Sequence, residues 1–462
     1  MAEEYDVIII GGGAAGENVA GRTSPGGLST VIIDSELVGG ECTYWACMPS
    51  KALLRPAETL KAATRVPAAA GAVTGDVDAE KALRSRDAFA NGWDDYWQVK
   101  WVESVEADLI RGHARITGER QVSVELAGGG VQELVARKAV VIATGSTPAL
   151  PAIKGIEDVG AWTSRDIVTA KEVPESLIIL GAGPVGLEMA QAWKSLGTKS
   201  VTLIERRLPE ELTRIEPFAM TLVLEALAED GVVVRMPCIV HEVSRKDGVV
   251  AATMDQGETL SAAEVVVATG RQPNTGNVGL ETIGLPTEGP IKVEDSMQAV
   301  GVDGGWLYAV GDVNGRGPLT HQGKYQARQA GDHILGKGTG AWADNIAIPA
   351  VIFTDPQIAS VGLTEARARA QGIPVKVVEL GLVGAAASLA GKDLRGGVKF
   401  VVDEQRNVLV GATFVGPTAG EMLHATTIAI VGEVTLDTLW HAVPAFPTMS
   451  ELWLRFLESY GY

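Results

Sequence analysis

The feature that most constrains this 462-residue chain is a unit that occurs twice. Its first copy runs Val7-Ile8-Ile9-Ile10, then Gly11-Gly12-Gly13-Ala14-Ala15-Gly16, then a helix-like stretch, then Thr30-Val31-Ile32-Ile33-Asp34. A short apolar run, a glycine turn, a helical pattern and a second apolar run spell a strand–helix–strand unit. Each glycine has its own task. Gly11 permits the tight turn, Gly13 lets the backbone approach a pyrophosphate at the helix N-terminus, and Gly16 lets the helix pack close on the sheet. Asp34 follows about 20 residues on, placed to accept hydrogen bonds from ribose hydroxyls. The second copy runs Ser176-Leu177-Ile178-Ile179-Leu180, Gly181-Ala182-Gly183-Pro184-Val185-Gly186, a helix, and Val201-Thr202-Leu203-Ile204-Glu205. Gly181, Gly183, Gly186 and Glu205 repeat the pattern of the first copy. Ala139–Gly145 and Val265–Gly270 also resemble each other, each reading as a buried strand that ends in a glycine turn. The fold expected is α/β, with two Rossmann-like dinucleotide-binding domains.

Composition narrows the partners. A formal charge of −18 repels phosphate backbones and anionic lipid, which points to small molecules or proteins rather than nucleic acid. The apolar run Val7–Ile10 is far too short for a signal core or a membrane span, and the residues before it are acidic, so we expect a cytoplasmic chain without membrane insertion. Hydrophobic residues at 46% and charged residues at 21% are ordinary globular proportions, and 55 glycines suit a fold with many close backbone approaches. With only three cysteines, a scaffold of structural disulfides is not expected. Cys238 is isolated and reads as a small buried hydrophobe.

The other two cysteines lie in Gly39-Gly40-Glu41-Cys42-Thr43-Tyr44-Trp45-Ala46-Cys47-Met48-Pro49-Ser50-Lys51, with four residues between them. That spacing can bring both sulfurs together where the segment enters a helix, whose N-terminus stabilises a thiolate. A zinc site would need two more ligands, and no second Cys/His pair accompanies this one, so no metal is expected. Trp93, Trp97 and Trp101 recur every four residues beside Tyr96, as if along one helical face, and read as core or subunit interface.

Taken with Trp306-Leu307-Tyr308-Ala309-Val310-Gly311-Asp312 and with Ile348–Pro356 through Ala359–Glu365, these motifs resemble the pyridine nucleotide-disulfide oxidoreductase family, to which lipoamide dehydrogenase, glutathione reductase and mercuric reductase belong. The resemblance covers essentially the whole chain. It implies FAD on the first fingerprint, with Gly11, Gly13, Gly16, Asp34, Lys51, Thr144, Gly145, Gly311 and Asp312 at the flavin nucleotide. It implies NAD(P)H on the second, with Gly181, Gly183, Gly186, Glu188, Glu205 and Gly270. By the same match Cys47 is the thiol beside the flavin, Cys42 exchanges with substrate, and Lys51 and Glu188 form an ion pair where hydride arrives. The domains implied are 1–149 and 271–345 for FAD, 150–270 for NAD(P), and an α+β dimerisation domain at 346–462 that makes the protein a homodimer. Tyr44 and Trp45 replace the family's small residues between the cysteines.

One element of the pattern is missing. The family's C-terminal His-Pro-Thr-x-x-Glu supplies an acid–base histidine from the other subunit, whereas this chain reads Phe446-Pro447-Thr448-Met449-Ser450-Glu451. Phenylalanine cannot titrate, so a contribution of about 10²–10⁴-fold must come from elsewhere. Glu451 keeps its place, and His441 and His424 are the nearest replacements in sequence. Loss of the acid disfavours ordinary alkyl disulfides and favours acceptors whose leaving group departs as an anion, or that have none. The chain also ends without a cysteine pair for handing over metal. Glu205 favours NADH by repelling a 2′-phosphate, although Arg206 and Arg207 follow it and keep NADPH open. The expected function is therefore an NAD(P)H-dependent flavoprotein disulfide oxidoreductase passing electrons through Cys42 and Cys47 to a small acceptor. Its alternatives are a quinone reductase with vestigial cysteines and a non-catalytic flavin-binding redox sensor.

Overall fold

The computed structural model describes residues 2–382 and 384–462. The chain divides into two compact units. One comprises Met1–Pro49, Asp87–Ala149 and Arg271–Asp344; the other comprises Ser50–Arg86, Leu150–Gly270 and Asn345–Tyr462.

In the first unit the strand Glu3–Ile10 lies between Thr30–Asp34 and Val131–Ile142 and runs parallel to both. Leu307–Ala309 extends the sheet beside Val131–Ile142, and Asp108–Gly118 joins Thr30–Asp34 before turning into the antiparallel strand Gln121–Leu126. The central strands carry unbroken apolar runs, Val7–Ile10, Val31–Ile33 and Ala139–Ile142, because both faces are covered there. Val7, Ile9, Ile32 and Val141 face Val19 and Ala20 of the helix Ala14–Thr23 and Ala327 and Ala330 of the helix Thr320–Ile334. Ile8, Ile10, Val31 and Val140 face Val122, Leu134, Leu280 and Trp306.

The second unit repeats the scheme on a smaller scale. Its parallel sheet runs Glu264–Val267, Ser176–Leu180, Ser200–Ile204, Val232–Arg235, with the helix Pro184–Ser195 after the first glycine-ended strand. Leu177 and Ile179 pack on Leu187 and Trp193, while Ile178 and Leu180 pack through Val243 and Val250 on a three-stranded antiparallel sheet of Val240–Lys246, Val249–Met254 and Thr259–Ala262. A separate five-stranded antiparallel sheet carries Ala350–Ile352, Gln357–Gly362, Val408–Gly416, Gly397–Asp403 and Val375–Gly381 in that order. Its core gathers Phe400, Phe414 and Phe456, with the rings of Phe400 and Phe456 stacked at 4.2 Å. Among the described residues no helix is long and apolar enough to cross a membrane.

Three features differ from the sequence-based picture. Ser50–Arg86 groups with the second unit, although the division from motifs sets it inside 1–149, because Leu53, Leu54 and Ala82 share a core with Leu187, Trp193 and Val223. The three tryptophans do not lie on one helix: Asn91, Gly92 and Trp93 take positive φ in a 3₁₀ turn, and the helix begins afresh at Tyr96–Ser104, with Asp94 Oδ1 accepting from the Tyr96 amide at 2.7 Å. Trp97 and Trp101 remain one turn apart but are 67% and 37% exposed, so they are not core. Cys238 is half-buried rather than buried; it packs against the apolar cluster of Val243 and Val250, and burial pushes its thiol up.

Candidate active site

Both glycine turns are built the same way. Gly11 has φ +106°, its amide donates to Ile33 O at 2.8 Å, and a Cβ there would meet Ala143 O at 2.4 Å. Gly181 has φ +103°, donates to Ile204 O at 2.7 Å, and would meet Ala268 O at 2.5 Å. These φ values belong to glycine. A Cβ on Gly16 would lie 1.9 Å from Gly11 O, and one on Gly186 would lie 1.9 Å from Gly181 O, so helix and strand approach only because both residues lack a side chain. At Gly13 and Gly183 the nearest atom to a Cβ is 3.9 Å away, which leaves the cradle over each helix N-terminus open to a ligand. The turns therefore fit a bound pyrophosphate in both copies.

The acidic residues also correspond. Asp34 Oδ2 accepts from the Gly12 amide at 2.5 Å and Oδ1 from the Glu36 amide at 2.7 Å; burial holds its carboxyl above the usual range against those two amides. Glu205 Oε2 accepts from the Ala182 amide at 3.1 Å, and Oε1 takes Arg207 Nε at 2.9 Å. Burial pushes the Glu205 carboxyl up, but Arg207 and the amides outweigh it and the group rests below its ordinary value. Arg207 is thus folded onto Glu205, while Arg206 is exposed.

Further parts of the first unit converge from distant sequence. Thr144 and Asn274 exchange two hydrogen bonds, Thr144 Oγ1 to Asn274 O at 2.8 Å and Asn274 Nδ2 to Thr144 O at 2.9 Å, and Gly145 (φ +70°) has nothing within 4 Å of its missing Cβ. Asp312 Oδ2 accepts from Ser146 Oγ at 2.6 Å. Ser146 Oγ accepts from Arg271 Nε at 2.8 Å, and Arg271 reaches Glu41 at 3.3 Å, next to Cys42. The turn holding Asp312 is fixed from behind, where Gln326 Oε1 accepts from the Gly311 amide and from Asn314 Nδ2, each at 2.8 Å, while Gln326 Nε2 donates to buried Asp344 at 2.7 Å. Ser146, Arg271, Glu41, Gln326 and Asp344 carried no motif signal.

Cys42 sits in the short helix Gly40–Tyr44, and Cys47 is the first residue of the helix Cys47–Thr64. Cys47 Sγ is 3.3 Å from Thr320 Oγ1. Hydrogen bonding to Cys47 and then burial push the Cys42 thiol up, opposed by Thr320 and Lys324. Tyr44 is buried, its hydroxyl 3.0 Å from both Val38 O and Gln98 Oε1, so that departure from small residues packs the loop; the Trp45 ring meets it edge-on at 5.6 Å.

In the second unit Lys51 Nζ is 2.8 Å from Glu188 Oε2, and Glu188 Oε1 accepts from the Phe353 amide at 3.0 Å. Glu188 is buried, and the Lys51 ammonium lies 4.7 Å over the Phe353 ring. Gly270 takes φ +143° with open space at its Cβ. Glu451 begins the helix Glu451–Tyr460 and is buried, with Oε2 lacking a hydrogen-bond partner among the described residues. Phe446 is 75% exposed, and His424 and His441 are exposed as well. A charged cavity of about 440 Å³ lies in this unit between Lys61, Arg65, Asp230, Asp355, Lys392 and Arg395; it contains none of the candidate cofactor-binding or catalytic residues.

Two dinucleotide turns and a thiol pair at a helix start define a two-nucleotide oxidoreductase, and comparison with known proteins gives the family. Residues 5–329 match the pyridine nucleotide-disulphide oxidoreductase family and residues 348–455 match the dimerisation domain of the same family, so the chain belongs to it. It is 30% identical to a dihydrolipoyl dehydrogenase of Rhizobium etli over 100% of this chain and 99% of the relative. It is also 30% identical to a mercuric reductase of Staphylococcus aureus over 97% of this chain and 81% of that protein. The fold is shared with the flavoprotein disulfide reductase RclA of Escherichia coli, solved as a Cu(II) complex, at TM-score 0.85 and 24% identity over 99% of this chain and 100% of the other. LpdA of Mycobacterium tuberculosis gives TM-score 0.84 at 24% identity, with both chains covered in full. Proteins of this family bind FAD and NAD(P)H and carry out NAD(P)H-dependent oxidoreduction.

Proposed function

We propose that this chain is an NADH-preferring flavoprotein reductase that passes two electrons through Cys42 and Cys47 to a small electrophilic acceptor, as a homodimer in the cytoplasm. The observation that carries the reading is the cysteine pair itself, Cys42 hydrogen-bonded to Cys47, with Cys47 at a helix start and 3.3 Å from the Thr320 hydroxyl. Bound FAD supplies the two-electron carrier between nicotinamide and sulfur. The residues that would hold it are the Gly11–Gly16 turn, Asp34, Thr144, Gly145, Gly311 and Asp312. Gly181, Gly183, Gly186, Glu205 and Gly270 would hold the nicotinamide nucleotide. Arg207, occupied by Glu205, is not held ready for a 2′-phosphate, which supports NADH. Glu188 fixes the Lys51 ammonium, so a buried carboxylate and its cation are presented together where hydride would arrive. The helix start at Cys47 stabilises its thiolate, leaving the Cys42 thiol to meet the acceptor.

A second reading is favoured by Phe446: with no titratable group there, the chain would reduce quinones directly and the cysteines would be bypassed. Anaerobic reduction by NADH and then NADPH, followed in the visible, separates the two. A long-wavelength band from the Cys47 thiolate at two electrons is expected. Bleaching without that band would sink the thiol relay in favour of direct transfer, and Cys42→Ser would then leave quinone turnover intact.

A further inference from the structure

Side chains from separate stretches of the first unit form one continuous polar chain that ends beside Cys42. Ser146–Pro148 and Arg271–Pro273 pair as a two-stranded antiparallel sheet, with Arg271 opposite Pro148 and Ser146 opposite Pro273. Buried Ser146 grips the Arg271 guanidinium twice: its Oγ accepts from Nε at 2.8 Å and its carbonyl accepts from Nη2 at 2.5 Å. The same hydroxyl donates to Asp312 Oδ2 at 2.6 Å, which fixes the guanidinium to the turn Gly311–Asn314. Held in this way, Nη2 lies 3.3 Å from Glu41 Oε2, an ion pair whose side chains are 27% and 25% exposed.

The segment that contains Glu41 needs such a hold. Gly39 and Gly40 take φ +109° and +59°, so the helix Gly40–Tyr44 leaves the first glycine turn over two residues with the widest backbone freedom. The Gly39 amide donates to Gly12 O at 2.8 Å, and a Cβ on Gly40 would lie 2.9 Å from Gly13 Cα. These contacts fix the pivot but not the direction in which the helix points. Tyr44 secures its far end through Val38 O and Gln98. Cys42 stands between that anchor and Glu41, whose partner Arg271 belongs to the Asp312 side of the unit.

We propose that Arg271 and Glu41 are a pair of positioning residues that ties Cys42 to the Asp312 turn and so sets how readily Cys42 and Cys47 join as a disulfide. Holding two sulfurs in reach raises their effective concentration for each other, and loosening one of them lowers it. The tie therefore acts on the balance between disulfide and dithiol, and with it on the potential at which the pair takes up electrons. Geometry rather than charge makes the tie, because a guanidinium fork can bridge Ser146 and Glu41 at once and an ammonium cannot. This inference rests on the reading of Cys42 and Cys47 as a redox pair.

The test is an anaerobic equilibration of the FAD-loaded protein with graded ratios of reduced to oxidised dithiothreitol, quenched in acid and read by thiol labelling and peptide mass. At each ratio the Cys42–Cys47 bond breaks as the two sulfurs take up two electrons and two protons, and dithiothreitol closes its own S–S bond. Arg271→Met and Glu41→Met should each shift the balance about five-fold toward the dithiol, the size expected of a partly exposed ion pair and equal to a rise of about 20 mV. The double variant should shift it no further than either single change. Arg271→Lys should behave as Arg271→Met, since charge alone does not restore the bridge. Flavin absorbance in the same samples checks the fold: a merely structural role would lower flavin content without moving the potential. If Arg271→Met loses flavin through Ser146 and Asp312, Glu41→Met, which leaves those two residues and Arg271 in place, decides alone. Shifts below two-fold in variants that hold flavin, or additive shifts in the double variant, would overturn the tie and leave the redox pair standing. A wild type in which oxidation leaves Cys42 and Cys47 unlinked would overturn both.

Discussion

At the scale of single residues, Gly16 and Gly186 set a limit on both nucleotide turns, because each would place a Cβ 1.9 Å from a backbone oxygen that cannot move without opening the turn. Gly16→Ala should cost about 1–3 kcal/mol in denaturant melts and lose flavin on gel filtration; Gly186→Ala should keep the yellow colour and lose reduction by NADH. Glu17 makes a prediction of its own sign. Its carboxyl is raised in the folded protein, so the folded state binds that proton more tightly than the unfolded chain does. Stability is accordingly lost as pH rises from the unfolded value near 4.5 to about 7 and is flat beyond. Thermal midpoints across that window should fall for the wild type and flatten in Glu17→Gln. The glycines, Asp34 and Glu205 were legible in the sequence because each stands at a fixed offset in a local unit. The chain Asp312–Ser146–Arg271–Glu41 was not, since its members lie in separate stretches of sequence and meet only through the sheet. Glu17 was also hidden, because burial and a neighbour on another helix give it its character.

Elements were legible where their pattern had one cause. The central strands announce themselves as unbroken apolar runs because helices and sheets cover both of their faces. The aromatic stripe misled because a four-residue recurrence is helical only if the backbone between is, and Gly92 with its positive-φ neighbours breaks it. Nothing in the sequence marks Arg86, which is fully buried and donates from Nη1 to Val168 O at 2.9 Å and Ala170 O at 2.7 Å, satisfying carbonyls at the end of the helix Ser164–Thr169. Arg86→Met fills much the same volume but leaves those carbonyls without their charged donor, so urea unfolding should show a loss of about 2–3 kcal/mol. The second unit should carry most of that loss, because the helix that holds Arg86 packs in its core.

For the whole molecule, the dimerisation domain and the exposed apolar residues agree. Val443 is 86% and Phe446 75% exposed, with Ile428 and Trp440 also exposed on the segment that matches the dimerisation domain. Such a set is expected to be covered by a second copy. Val443→Asp should convert the dimer to monomer by light scattering, about halving the mass, while leaving flavin bound. The motifs gave no hint that Ser50–Arg86 would pack with the later segments, since its apolar residues have no periodic partner nearby in sequence. The doubled turn has a last consequence. With the same left-handed glycine, the same closely packed glycine and the same amide-bound carboxylate present twice, the chain carries its own reference. A change made in parallel at Asp34 and Glu205 perturbs equivalent backbone, so whatever differs between the two outcomes reports on the guest of each turn rather than on its architecture.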